Sequence, residues 1–372
     1  MSERRQVRDP VFGFIPINGK EAEIVDTPVF QRLRGIRQLA FANLVYPGAL
    51  NTRFDHSLGV CHVSGMMAKL LLDNEEDRRL VRVAALLHDI GHGPFSHVSE
   101  EALEIYADRD SLGSLIEKRE KIHELVTTEI IRNDRNLERI IGASDRDKIC
   151  KLLSEGFSEP ILRSLISGPL DADKQDYLLR DSHFCGVKYG LFDIGQLHRE
   201  LKAKDDIGGK QLMISEDGIH AVEQFVLAKY YITTQVYRHP IRLITDQMLV
   251  RAIVLGIDKD GIDELSQLYG YDGSKQFVER YVAYDDSRFL ADFSSDRFKD
   301  KHSHDLLSRL KERRLLKRVY HKSVNKFQPG ELGDAISQVS SFENRCKRGQ
   351  LESALYDVLC EVTRDSQCAQ ID

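Results

Sequence analysis

Apolar residues recur at three- and four-residue intervals through most of the 372-residue chain, a period that predicts a mostly α-helical protein. Thr27-Pro28 supplies an N-cap followed by proline at the first helical position. Phe30, Leu33, Ile36, Leu39 and Ala40 then follow at helical spacing. Leu58, Val60, Val63 and Met67 mark a helix over 55–72, and Leu80, Val83, Ala84 and Leu87 mark one over 77–89. Gly91-His92-Gly93-Pro94 breaks the second, and another helix runs from about Ser96 to Tyr106. Further helical stretches are predicted at 121–132, 145–154, 159–167, 172–182 and 193–204. Gly208-Gly209 is a turn ahead of a strand at Gln211 to Ser215. A long helix over 217–255 is kinked or broken at Pro240. Beyond about 258 the chain is more polar, with an amphipathic helix at 301–314 and a strand at Leu315 to Tyr320. The expected division is a helical core over 1–255 and a smaller α+β lobe over 256–372, without a clear linker.

Composition narrows the class. Hydrophobic residues make up 41% of the chain and charged residues 30%, as in folded globular proteins rather than disordered ones. The formal net charge of −6 speaks against a global nucleic-acid clamp, although the basic run Lys311 to Arg318 leaves a local contact open. No run approaches the roughly 18 apolar residues that a membrane span needs. Met1 to Arg8 is charged and lacks an apolar h-region, so no secretory signal is expected and a cytoplasmic location is. The six cysteines are scattered without a C-x-x-C pair, which points to reduced thiols and away from a cysteine zinc site. Histidine is the informative residue: His56, His62, His88, His92 and His97 crowd into 42 positions on the order of one helical hairpin.

His88-Asp89 sits at the end of an apolar helix, where both side chains can turn toward one point. An imidazole and a carboxylate side by side suit a divalent transition metal with mixed nitrogen and oxygen ligation, and two more ligands must come from elsewhere. His56 begins the preceding helix and Asp173 begins a later one. The string His88-Asp89-Ile90-Gly91-His92-Gly93-Pro94-Phe95-Ser96-His97 adds two more histidines around a helix break, which unrelated surface histidines would rarely produce. Asp173, Tyr177 and Asp181 fall at i, i+4 and i+8 and so share one helix face. No Gly-x-x-x-x-Gly-Lys-Ser/Thr loop occurs, so phosphate binding must rest on a metal and on cationic side chains.

Three ordered segments carry a resemblance. They are Arg53-Phe54-Asp55-His56-Ser57-Leu58-Gly59, Leu87 to His97, and Asp171-Ala172-Asp173-Lys174-Gln175-Asp176-Tyr177. Together they resemble the HD-superfamily phosphohydrolases, and among them the deoxynucleoside triphosphate triphosphohydrolases, from about Asp9 to about Met248. The resemblance implies an HD-domain helical core with its metal site within 50–185, holding one divalent ion (Mn, Fe, Co, Mg, Zn or Ni). It implies His56, His88, Asp89 and Asp173 as ligands, and His92, His97 and His123 around the reacting phosphate. Glu100 stands where the family usually has aspartate, which puts its partnership with His123 in question. Lys174, Arg53 and Lys229 are implied at the phosphates, with Lys229 replacing an arginine. Tyr177 and Asp181 are implied at the sugar, Tyr237 at the sugar or base, and Gln38 and Leu39 near sugar and base.

In one branch of the family the positions of Asp26 and Arg34 bind an activating nucleotide between subunits, so a homo-dimer or homo-tetramer is implied as well. The implied reaction is hydrolysis of a dNTP to deoxynucleoside and inorganic triphosphate, a chemistry that serves nucleotide homeostasis or antiviral defence alike. An HD phosphodiesterase or nuclease, and a nucleotide-sensing subunit with little turnover, are the alternatives.

Overall fold

The computed structural model describes residues 5–108, 112, 121–154, 159–206, 208–318, 350 and 352–357. The protein is mostly helical, with two small two-stranded antiparallel sheets among the described residues. Met1–Leu316 forms one compact unit, and residue 255, where the sequence suggests a division, lies inside a helix of that unit.

The first hairpin is one that helical periodicity does not predict. β1 (Arg5–Asp9) pairs with β2 (Gly13–Ile17) in the register Arg5↔Ile17 to Asp9↔Gly13. Only Ile15 and Ile17 of β2 point inward, too short an alternation to stand out in the sequence. Asp9 closes the turn by accepting from the amides of Val11 and Phe12, and Gly13 takes a φ of +78°.

α1 (Gly19–Val25) starts on an Asn18/Glu21 capping box. α2 (Pro28–Gln31) is capped by Thr27 as expected, but the helix does not continue to Ala40. It tightens into a 3₁₀ turn over Arg32–Gly35, and Ile36 is extended. The reason is tertiary: the amide of Gln38 donates to Asn51 O and that of Arg53 to Ile36 O, so this stretch pairs with the entry to the next helix. Phe30, Leu33, Ile36, Leu39 and Ala40 are buried all the same, so apolar spacing forecast burial and not helix.

α3 (Arg53–Leu71) begins on a Thr52/Asp55 capping box and is buried around most of its circumference, which makes it the central helix. It packs beside α4 (Glu75–Leu87), whose first turn is acidic and whose last residues are apolar. α5 (His97–Tyr106), α6 (Ile122–Asn133), α7 (Arg135–Ile141), α8 (Ala143–Leu153) and α9 (Pro160–Ser164) build the wall around them. α10 (Ala172–Cys185) is capped by Asp171, crosses α3, and ends at Gly186 with a φ of +68°.

The helix predicted over 193–204 stops early. α11 (Ile194–Glu200) gives way to β3 (Leu201–Asp206), which pairs with β4 (Gly209–Ile214). β3 is polar and exposed, so it carries no alternation to read. The long stretch over 217–255 divides into α12 (Ile219–Ile232), a π turn at Thr233–Tyr237, and α13 (Pro240–Asp258), with Pro240 at a helix start. α14 (Asp263–Tyr269), α15 (Lys275–Tyr281), α16 (Asp286–Phe293) and α17 (His302–Lys311) complete the unit. Residues 315–318 are irregular, and the rest of the strand predicted there lies outside the described residues. No helix among the described residues is long and apolar enough to cross a membrane.

Candidate active site

The elements bring four predicted ligands to one point. His56 projects from the first turn of α3, His88 and Asp89 from the end of α4, and Asp173 from the first turn of α10. One ligand atom from each of His56, His88 and Asp173 lies within 4.8 Å of the other two. Asp89 adjoins them, its Oδ2 3.4 Å from His56 Nε2 and its Oδ1 3.3 Å from His88 Nε2.

Both imidazoles are held from behind. His56 Nδ1 meets Asp176 Oδ2 at 2.7 Å, and His88 Nδ1 meets the carbonyl of Ala85 at 2.8 Å. Each Nε2 therefore faces inward, buried and without a partner in hydrogen-bonding geometry. Buried imidazole nitrogens beside carboxylates are the donor set a divalent cation satisfies, and oriented second ring nitrogens are the usual support for it. The residues present therefore fit a metal ion.

The support runs deep. Asp176 accepts a bidentate pair from Arg180, whose third arm reaches Asp9 Oδ2 at 2.7 Å. A Cβ on Gly59 would collide with the Asp176 carboxylate, so the network needs glycine there. Burial alone would lower the His56 pKa, but Asp173, Asp176 and Asp89 outweigh it and push it up to about 10. Burial would raise Asp89, but Arg53 at 2.5 Å, with His88 and His92, holds it well below the usual carboxylate range.

Beside this cluster lies an imidazole group of opposite character. His92 stacks on His123 with ring centroids 4.1 Å apart, and His97 meets His92 edge-on at 4.8 Å. Glu100 reaches both outer rings: one oxygen contacts His123 Nδ1 and the other lies 3.1 Å from His97 Nδ1. The extra methylene of glutamate thus does not prevent the His123 contact. Burial, then the charges of Arg53 and His123, drive His92 well below its ordinary pKa, so its ring is neutral near pH 7.

A third set lies two turns along α10. Asp181 is buried and accepts from Asn51 Nδ2 at 2.9 Å and from the Tyr237 hydroxyl at 2.6 Å. The Tyr177 ring, between Asp173 and Asp181 along the helix, stands 6.1 Å from the ring of Tyr237 in the π turn. Gln38 and Leu39 are buried, and the Gln38 amide joins Asn51.

The predicted cations divide. Arg53 spends Nε on Ser96 and one terminal nitrogen on Asp89, and leaves its other terminal nitrogen without a partner. Lys174 pairs with Asp171, and Lys229 is exposed and joined to none of these groups among the described residues. Asp26 pairs with Arg5, and Arg34 lies 3.5 Å over the Phe54 ring, so no contact links those two positions. Sequence reasoning missed Asn51, Ser96, Arg180 and Asp9 and gave Asp176 no role. Asp176, inside the quoted Asp171-to-Tyr177 segment, and Ser96, inside the Leu87-to-His97 segment, carried a local signal; Asn51, Arg180 and Asp9 did not.

The HD domain pattern matches residues 53–178, the span that holds His56, His88, Asp89 and Asp173, and a pattern described as an HD associated region matches residues 192–346. Uncharacterized protein YwfO of Bacillus subtilis is 30% identical over 92% of this chain and 76% of its own length. The chain belongs to the HD-domain family. HD domains are metal-dependent, as the inward-facing nitrogens of this HD-domain protein lead one to expect. Human deoxynucleoside triphosphate triphosphohydrolase SAMHD1 is 26% identical over 84% of this chain and 54% of that protein. The chain spans about half the length of most curated relatives it matches. A crystal structure of a hypothetical protein from Aquifex aeolicus superposes with a TM-score of 0.69 at 26% identity, covering 91% of this chain and 84% of that one.

Proposed function

We propose that this HD-domain protein hydrolyses deoxynucleoside triphosphates to deoxynucleoside and inorganic triphosphate, with His56, His88, Asp89 and Asp173 as metal ligands. The observation that carries the substrate class is the face of α10, where Asp173, Tyr177 and Asp181 follow one another and Asp181 is fixed by Asn51 and Tyr237. A divalent cation in the cluster supplies Lewis-acid polarisation of a phosphoryl oxygen and acidifies water.

The rest falls to the chain's own side chains. The free nitrogen of Arg53, and Lys174 once released from Asp171, meet phosphate charge, with Lys229 at the outer end. Neutral His92 accepts or donates a single hydrogen bond beside the reacting phosphorus. Glu100 orients His97 and His123, which carry protons toward the leaving side. Each oxygen of Asp181 keeps a lone pair for the sugar 3′-hydroxyl, and the Tyr177 ring occupies the space of a ribo 2′-hydroxyl. Gln38 and Leu39 border the sugar and base. Homo-oligomerisation, with an activating nucleotide at Asp26 and Arg34, completes the reading.

Phosphorus NMR of each dNTP incubated with the protein and Mn²⁺, Mg²⁺ or Co²⁺ tests it. Inorganic triphosphate is the expected product. Orthophosphate or pyrophosphate would place the attack at another phosphorus, and cleavage of single-stranded DNA or cyclic nucleotides alone would favour phosphodiesterase chemistry.

A further inference from the structure

The loop between the two histidine groups, Gly91 to Ser96, is held by residues far along the chain. Phe95 and Ser96 sit at φ of +62° and +55°, left-handed conformations that cost a non-glycine residue about 1–3 kcal/mol each and persist only where the surroundings enforce them. Asp286, at the start of α16 in the HD-associated region, does the enforcing. Its Oδ1 accepts from the Phe95 amide at 2.7 Å and its Oδ2 from the Arg37 amide at 3.0 Å. Arg32 clasps the other side by donating to the carbonyls of Ile90, His92 and Tyr284. A Cβ on Gly93 would strike the Tyr281 hydroxyl, so α15 presses on the same loop.

From Asp286 the contacts lead inward. Ser96 Oγ donates to the Arg37 carbonyl at 2.7 Å and accepts from Arg53 Nε at 2.9 Å, and Arg53 holds Asp89. Ser96 also precedes α5, which carries His97 and Glu100. We propose that Asp286 is a positioning residue of the hydrolytic centre, fixing the Phe95–Ser96 backbone so that Arg53, His97 and Glu100 keep their places. The inference rests on the proposed hydrolase reading for its activity readout, and on the loop geometry alone for a second one.

A control exists in the same region. Asp260 is a buried carboxylate that also accepts two backbone amides, those of His302 and Ser303, and pairs with the His302 ring, and among the described residues no bond joins it to the loop. Asparagine at either position keeps one acceptor and turns an NH₂ group toward the other amide. Asp286→Asn and Asp260→Asn should each lose thermal stability and both retain metal. Only Asp286→Asn should lower kcat, by about tenfold or more with KM within about twofold, since a small displacement at the reacting groups is costly. Equal kcat in the two variants would overturn the proposal. If Asp286→Asn does not fold, Ser96→Ala cuts the next link without burying a new group, and unchanged kcat there overturns it too. If the wild-type protein leaves every dNTP intact, the hydrolase reading has failed on its own, and imidazole NMR of the resting protein decides instead. The His97 and His123 signals should shift in Asp286→Asn and stay in place in Asp260→Asn; no shift in the former rejects the positioning role.

Discussion

The two halves of the centre use the same side chain for opposite ends. Around His56, carboxylates at 2.7 and 3.0 Å create a place that favours positive charge, and they push the imidazole up to about 10. Around His92, four residues beyond His88, burial and neighbouring cations drive the imidazole down. Ring chemistry is identical, so neighbours decide which histidine sits where positive charge is favoured and which is kept neutral.

The largest effect comes from breaking the cation-favouring half. His88→Ala and Asp173→Ala should each strip most of the metal and cut kcat/KM by about a thousandfold or more, with helical content by circular dichroism unchanged. Full metal occupancy in both would remove them from the ligand set.

Breaking the imidazole half should look different. Glu100→Ala frees His97 and His123 together and should lower kcat about a hundredfold, within the range for general acid–base groups, while metal analysis stays at the wild-type value. Loss of metal in this variant would erase the distinction between the halves.

Asp176→Asn probes how far the first half depends on its backing. Removing the charge behind His56 should weaken metal affinity about tenfold to a hundredfold, read by competition with a chelating dye. An unchanged affinity would make the Asp9–Arg180–Asp176 network a matter of packing alone. Tyr177→Ala should narrow the preference for dGTP over GTP by about tenfold, equivalent to about 1.4 kcal/mol, and equal discrimination before and after would clear Tyr177 of that role.

The last effect, on stability rather than on activity, isolates burial without strong charge. His198 faces Gln175 at 2.7 Å, and burial, with His62 nearby, lowers its pKa to about 4. The unfolded chain then binds the proton more tightly, so this group's stabilisation is complete above about pH 6.5 and is lost as pH falls toward 4. His198→Gln should remove up to about 3 kcal/mol of that acid sensitivity in urea titrations at pH 7 and pH 4.5. A parallel loss in both proteins would mean that His198 is already charged in the fold.

The proposed ligands were legible as a group because metal chemistry constrains residue types that stand out locally: His88-Asp89 is adjacent in sequence, and Asp173, Tyr177 and Asp181 share a helical period. Arg180 bridging Asp9 to Asp176, and Asp286 gripping Phe95, were not, since each is an ordinary charged residue whose partner is set by tertiary packing. The same cause lies behind the two helices that ended early. At Ile36 and at Leu201 a pairing with another segment overrode local periodicity.

The Asp9–Arg180 bond spans 171 residues and closes on the aspartate behind His56. During synthesis the amino-terminal hairpin waits while nearly half of the chain emerges before its partner exists. Contacts of such long range form late and slow a domain's folding. Asp173 arrives only a few residues ahead of Arg180, so the cluster of four and its backing become complete almost together. A cation held there would load only once α10 has docked, and nascent or truncated chains lacking α10 would hold two imidazoles and Asp89 without the fourth group of the cluster.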